Sequence, residues 1–151
     1  MHLSRESEYG LKAMIYLAQE PPETVLTLSQ IAEARDLPVG FLAKIFQKLA
    51  RHGLLQSFRG RQRGYSLTRD ASKIKLREVL EAIEGRDLFQ RCLLWGHRSG
   101  DKNPCLVHRE CTQIRTQLLE ALEQKTLADL AQENGGDYGD RDHQKAVPEA
   151  S

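Results

Sequence analysis

Three cysteines and one histidine are the side chains of this 151-residue chain best suited to metal or redox chemistry. Cys92 and Cys105 flank a polar loop that contains glycine, and His108 and Cys111 follow Cys105 closely. An odd number of cysteines in a chain with no export signal favours metal binding or redox chemistry over structural disulfides. The alternative for each cysteine is a small buried apolar residue.

Helical spacing restricts how these side chains could share one centre. If Cys105 and His108 lie on one helix, their Cβ atoms are about 5–6 Å apart. Cys111, six residues after Cys105, would point about 120° away and lie about 9 Å along the axis. A regular helix therefore cannot bring both sulfurs to one iron: either the helix begins after Cys105, or Cys111 has another role.

A second group of residues indicates a polyanionic partner. Ten lysines and arginines lie between Lys44 and Arg77 against one acid, Asp70, which gives this segment about +9 (ten minus one) in a chain of net charge +1. The candidate DNA-contacting residues are Lys44, Gln47, Lys48, Arg51, Arg59, Arg61 and Arg63. The alternative is a solvated helix face, but the absence of acids at i,i+4 spacing argues against it. We find no nucleophile–base set and no phosphate-binding loop motif, so we expect no enzyme activity.

These residues require a small set of elements to position them. Apolar spacing predicts a first helix over about 7–19, and Thr27 to Gln30 reads as a capping box that opens a short second helix. A turn at 36–38 leads to a third helix with an apolar stripe that includes Phe41, and Gly53 closes it. Strands over 54–58 and 65–67 form a wing, and a helix follows over 72–84.

The rest of the chain is expected to be a loop, one long helix and a tail. The predicted divisions are 1–85 for a winged helix-turn-helix DNA-binding domain, 86–104 for a cysteine-bearing sensor loop, 105–132 for a dimerisation helix and 133–151 for a disordered tail. The fold class is mainly α with a small β-wing. No apolar run approaches the roughly 20 residues of a membrane span and no signal peptide is present, so we expect a cytoplasmic protein.

Short motifs follow one another in a fixed order over residues 1–132. They are Leu3-Ser4, Tyr9-Gly10-Leu11, Leu28-Ser29-Gln30-Ile31-Ala32, Phe41-Leu42, Ile45-Phe46, Gly53-Leu54, Arg59-Gly60, Gly64-Tyr65, Val79-Leu80-Glu81-Ala82-Ile83-Glu84-Gly85 and Thr126-Leu127-Ala128-Asp129-Leu130. Each is weak alone, but the ordered set resembles the Rrf2 family of winged-helix regulators. The resemblance implies a homodimeric transcription regulator whose long C-terminal helices cross between subunits.

The resemblance also implies a ligand set for an iron–sulfur cluster, of the 2Fe–2S or 4Fe–4S type. Cys92 and Cys105 match the first and third cysteines of cluster-binding members, and Ser99 stands where the middle one is expected. His108 matches a histidine ligand of some members, and Glu8 matches a carboxylate that nitric-oxide-sensing members provide across the dimer. Cys111 is an additional candidate on the next stretch of helix, and His97 is another in the loop.

Three hypotheses follow. In the first, a dimeric regulator binds a double-stranded DNA operator and senses redox state, iron or nitric oxide through the cluster. In the second, the same DNA-binding protein contains no metal and its cysteines act as thiol switches. In the third, the chain is an interaction module that docks on a metabolic enzyme. A steep fall of DNA affinity with salt would separate the first two from the third.

Overall fold

A computed structural model of the chain describes residues 3–95, 102 and 104–134. Helices and two strands succeed one another in the order α1 (Arg5–Gln19), α2 (Leu28–Arg35), α3 (Val39–Arg51), β1 (Leu55–Phe58), β2 (Gly64–Leu67), α4 (Leu76–Glu84), α5 (His108–Gln124) and α6 (Leu127–Asn134). Single 3-10 turns occupy Ala71–Lys73 and Leu88–Gln90. The mainly α fold with one small β-wing confirms the predicted fold class.

The first three helices form a helix-turn-helix on a supporting helix. Ser4 caps α1, which therefore begins at Arg5, two residues before the predicted start. The predicted capping box of α2 is confirmed: the Thr27 hydroxyl accepts from the Gln30 amide (3.1 Å), and the Gln30 side chain accepts from the Thr27 amide (2.9 Å). Asp36 adopts a left-handed conformation (φ 51°) and turns the chain into α3.

The core lies between α1, α3, α4 and α6. Leu42, Ile45, Phe46 and Leu49 of α3 are all buried in it. Phe41 departs from the prediction, since its side chain is 37% exposed and packs edge-on against Tyr9 with ring centroids 5.6 Å apart. Its position precedes the buried stripe by about a quarter turn, which places it at the rim. None of the helices among the described residues is both long and apolar enough to cross a bilayer.

The helix predicted over 72–84 is interrupted. Ile74 is extended (φ −100°, ψ 115°) between the 3-10 turn and α4. Its carbonyl accepts from the Leu127 amide (2.8 Å), and the Leu76 amide donates to the Lys125 carbonyl (3.0 Å). Pairing with another segment thus satisfies backbone groups that a continuous helix would have used internally.

The long helix predicted over 105–132 is also two helices. α5 begins only at His108 and ends at Gln124, and α6 begins at Leu127. Thr126 and Asp129 form the reciprocal amide bonds of a capping box (2.9 and 3.1 Å), so a new helix starts there. Leu127 is fully buried in the core, and α6 therefore packs on the winged helix rather than extending α5.

Candidate functional site

The outer face of α3 presents polar side chains at helical spacing. Lys44, Gln47 and Arg51 are exposed, and their separations of three and four residues place them on one side of the helix. The opposite side is fixed in the core by Leu42, Ile45, Phe46 and Leu49. A helix held in this way offers donors to phosphates and to base edges of a major groove.

Lys48 lies on the same helix, but its ammonium is directed toward α1 and α4. Its ammonium forms an ion pair with Glu6 of α1 and donates to the Ile83 carbonyl of α4 (3.3 Å). The side chain is 37% exposed. The structure therefore places this predicted DNA contact in a junction between three helices.

The wing is a β-hairpin that carries arginines at its tip. β1 and β2 pair antiparallel with Phe58 opposite Gly64, and the five residues between them include Arg59, Arg61 and Arg63, all exposed. Tyr65 joins the hairpin to the body: its amide and carbonyl both bond to Leu26 (2.7 and 3.0 Å). Its ring also packs edge-on against Phe46 of α3 at 5.0 Å between centroids. Tyr65 thus fixes the wing both to the segment before α2 and to α3.

Charge on this surface is only partly neutralised within the chain. Arg69 pairs with Glu78 (2.6 Å) and Arg77 pairs with Glu81 (2.9 Å). In the described part of the chain, no ion pair within 4.0 Å involves the exposed cations of α3 and the wing tip, namely Lys44, Arg51, Arg59, Arg61 and Arg63. The outer face of α3 and the wing therefore present five cations that are available to a polyanion.

Cys92 and Cys105 meet in front of the first turn of α5. Cys92 is 4% exposed, and the Cys105 thiol lies close enough to lower the pKa of Cys92. The backbone amide of Trp95 lowers the pKa of Cys92; burial opposes it, and the Leu94 amide, Cys105 and the positive charge of Arg115 act in the same direction as Trp95. Such amide donors favour a thiolate at this position.

Cys105 precedes α5 and does not lie within it. Its carbonyl accepts from the His108 amide (3.1 Å), which forms a turn into the helix, and the Cys111 amide donates to the Val107 carbonyl (2.9 Å). Burial raises the pKa of Cys105, and the nearby Cys92 and Cys111 raise it further. The sequence left two options: a helix that begins after Cys105, or another role for Cys111. The structure has the first, because α5 begins at His108. Cys105 and Cys111 are therefore not separated by a regular helix, and helical geometry does not exclude Cys111 as a ligand.

The cysteine cluster, defined as Cys92, Cys105 and Cys111, is not arranged around a single ion. Among the described residues, no three His, Cys, Asp or Glu side chains converge closely enough to surround one metal. An iron–sulfur cluster has several irons, so its thiolates need not converge on one point. His97 and Ser99 lie outside the described residues. Glu8 is on α1, where it pairs with Lys12 at 3.2 Å.

Comparison with known proteins identifies the architecture. The family model described as "Iron-dependent Transcriptional regulator", Rrf2, matches residues 3–133. The transcriptional regulator IscR of Cronobacter sakazakii is 30% identical over 148 residues, which cover 97% of this chain and 90% of that protein. The chain belongs to the Rrf2 family.

Two solved structures support the same assignment. CymR of B. subtilis, described as a global cysteine regulator, is 26% identical with a TM-score of 0.74, covering 89% of this chain and 98% of that one. The oxidized form of Staphylococcus aureus CymR is 27% identical with a TM-score of 0.68, covering 87% and 96%. This Rrf2 protein is accordingly a DNA-binding transcriptional regulator and not an enzyme, and these relatives give no support to docking on a metabolic enzyme.

Arg115 is a residue of the Rrf2 protein's site that sequence reasoning missed. Its charge acts on Cys92, and its guanidinium donates to the Arg91 carbonyl (3.4 Å). It lies four residues after Cys111 and seven after His108, which puts all three on one face of α5. That spacing was visible in the sequence. The amide donors of Leu94 and Trp95 were not, because they depend on the turn after Cys92.

Proposed function

We propose that this Rrf2 protein is a homodimeric regulator that binds operator DNA through α3 and the wing and senses redox state, iron or nitric oxide through an iron–sulfur cluster on its cysteines. The observation that carries the sensing part is the meeting of Cys92 and Cys105 beside the first turn of α5, with Cys111 close enough to act on Cys105. The rest of the proposal follows from the charge and exposure described above.

The donor chemistry fits a cluster. Thiolates are the usual cluster ligands, and three are available here, with Cys92 favoured as thiolate by two amides. We propose either His108 or the Glu8 carboxylate of a second subunit as the further ligand, since three thiols leave one position to fill. When bound, the cluster would supply reversible one-electron chemistry and a labile bond. The description of the family as iron-dependent supports this assignment.

The DNA contacts are proposed for two surfaces. Lys44, Gln47 and Arg51 of α3 would enter a major groove, and the wing arginines 59, 61 and 63 would bind the adjacent backbone or minor groove. Each of these side chains is exposed. We expect replacement of a wing arginine to weaken binding to all sequences alike, whereas replacement of Gln47 should change sequence preference.

The dimer is proposed to form along α5. This helix of 17 residues has no buried side chain among the described residues, and Ile114 at its centre is 56% exposed. An amphipathic helix that leaves an apolar side chain such as Ile114 exposed in its own chain is expected to pack against a second copy.

Purification without oxygen tests the cluster. We expect a coloured protein with visible absorption bands and matching amounts of iron and sulfide, and loss of both in Cys92→Ala and Cys105→Ala. Thr112→Ala is the matched control, because Thr112 is an exposed residue of the first turns of α5 beside Cys111. A colourless wild-type protein free of iron and sulfide would exclude the cluster.

A thiol switch is a second candidate because the Cys92 and Cys105 thiols are close enough for each to shift the pKa of the other. Two thiols in contact can form a disulfide, with release of two protons and two electrons to an oxidant such as a peroxide. The oxidized form of the CymR relative supports a redox role for this fold. A response of DNA binding to oxidant that persists after iron chelation would favour the switch, and a response abolished by chelation would favour the cluster.

A further inference from the structure

The contacts of Lys48 indicate a role that differs from that of the neighbouring Lys44. Both are lysines of α3, one helical turn apart, and both were predicted to contact DNA. Lys44 is exposed, whereas the Lys48 ammonium pairs with Glu6 and donates to the Ile83 carbonyl. Ile83 lies in the last turn of α4, where backbone carbonyls lack helical partners and a cation is favoured.

Glu84 completes the junction from the other side. Its carboxylate accepts from the Ser4 amide (2.9 Å), the Ser4 hydroxyl and the Ser7 hydroxyl (2.6 Å) of α1. The charge of Lys48 also acts on it. Ser7 is fully buried, so its hydroxyl needs this partner. Two carboxylates, Glu6 and Glu84, and one ammonium, Lys48, therefore connect α1, α3 and α4.

The same three helices are in close contact at Gly10. A Cβ at this position would lie 2.4 Å from Cδ1 of Ile83 and 3.1 Å from Cγ2 of Ile45, so a side chain there would displace Ile83. The polar junction thus lies beside a tightly packed apolar contact. A small change in either one would move α3 relative to its support.

We propose that Lys48 and Glu84 are positioning residues: they fix the orientation of the recognition helix on α1 and α4, and neither contacts DNA. This inference rests on the proposed DNA-binding function. It assigns Glu84, the second of the two acids in the motif that ends in Gly85, an effect on DNA affinity without contact with the DNA.

Salt dependence separates positioning from contact. Each phosphate contact that is lost lowers the slope of log affinity against log salt by about one. We expect Lys44→Met to weaken binding and lower this slope by about one. Lys48→Met is expected to weaken binding about tenfold with the slope unchanged, because it removes no phosphate contact. A slope reduced as in Lys44→Met would overturn the proposal.

Glu84→Gln provides the second arm, with Glu81→Gln as its control. Glu81 is on the same helix but pairs with Arg77, away from α1 and α3. We expect Glu84→Gln to weaken binding about tenfold, Glu81→Gln to leave it unchanged, and the Lys48→Met/Glu84→Gln double variant to lose little more than either single variant. Additive losses, or binding by Glu84→Gln equal to wild type, would overturn the proposal.

The probe is one fluorescent duplex that the wild-type protein selects from a random library, used for every variant at temperatures where circular dichroism shows full folding. If the wild-type protein selects no duplex at low salt, the proposed DNA-binding function fails. In that case the coupling between Lys48 and Glu84 is measured by urea unfolding of the wild type, Lys48→Met, Glu84→Gln and the double variant. A coupling free energy of zero would overturn the positioning role by itself.

Discussion

The pKa of the Glu84 carboxyl group depends on its neighbours in the fold. Burial alone raises the pKa of a carboxyl group, but hydrogen bonds from Ser4 and Ser7 and the charge of Lys48 outweigh it, so the pKa of Glu84 lies below its ordinary value. Glu6 shares the same ammonium. The ionised form of Glu84 is therefore the one that the fold stabilises.

This shift predicts a pH dependence of stability. Because the folded-state pKa is lowered, the stabilisation is present above the unfolded-state pKa near 4.5 and is lost as pH falls through the lower folded-state value. We expect Glu84→Gln to reduce the free energy of unfolding by about 1–2 kcal/mol near pH 7, with the difference shrinking below about pH 4. Urea unfolding at several pH values measures it, and a difference that persists unchanged at acidic pH would contradict it.

At the scale of elements, the wing depends on a glycine. Gly64 has φ +149°, and a Cβ there would lie 2.5 Å from the Leu26 carbonyl oxygen, a backbone atom that cannot move aside cheaply. We expect Gly64→Ala to cost at least about 2 kcal/mol and to weaken DNA binding by displacing the wing arginines. Thermal unfolding and DNA titration check this. Gly40→Ala, with nothing within 4 Å of the added atom, should not reduce stability.

The start of α6 depends on a cap. Thr126→Ala removes the hydroxyl that accepts from the Asp129 amide, and we expect a loss of about 1 kcal/mol by urea unfolding. Thr116→Ala is the control, because Thr116 is an exposed residue within α5 whose hydroxyl only bonds back to the Thr112 carbonyl. Equal losses in the two variants would show that the cap is not what begins α6.

Local signals predicted the first half of the fold well and the second half less well. Thr27 and Gln30 predicted the start of α2, and Gly53, with φ +74°, predicted the end of α3. The same capping pattern occurs at Thr126 and Asp129, but it lies within a longer apolar repeat that predicts one continuous helix. The break at Ile74 was not predictable locally, since it depends on pairing with residues about fifty positions away.

For the candidate site, residue types were predictable and their partners were not. The arginines of the wing follow from charge and glycine spacing alone. The direction of the Lys48 ammonium depends on Glu6 and Ile83, which are brought to it only by the packing of three helices. The proximity of Cys105 to Cys92 likewise joins residues thirteen positions apart, and no local pattern in the sequence predicts it.

At the scale of the whole molecule, the dimer prediction is tested on α5. Ile114 is 56% exposed, and a carboxylate at this position would lie in the proposed apolar interface, where it costs several kcal/mol. We expect Ile114→Asp to raise the dimer dissociation constant at least about 100-fold. Light scattering measures the mass across protein concentrations. Thr116→Asp, about 200° around the helix, should remain dimeric.

The junction at Lys125 and Thr126 gives α5 one anchored end. Thr126 pairs with Lys75, Leu127 is fully buried, and Glu123 reaches Arg77 at 3.7 Å, whereas the other end of the helix lies at the cysteines. Seventeen residues of helix extend about 25 Å. A shift of about 1–2 Å at the cysteine end would therefore tilt the helix by about 2–5° about its anchored end. In a symmetric dimer the α5 helices of both subunits would tilt by the same angle in opposite directions. The angle between the two DNA-binding domains would therefore change by up to twice that amount.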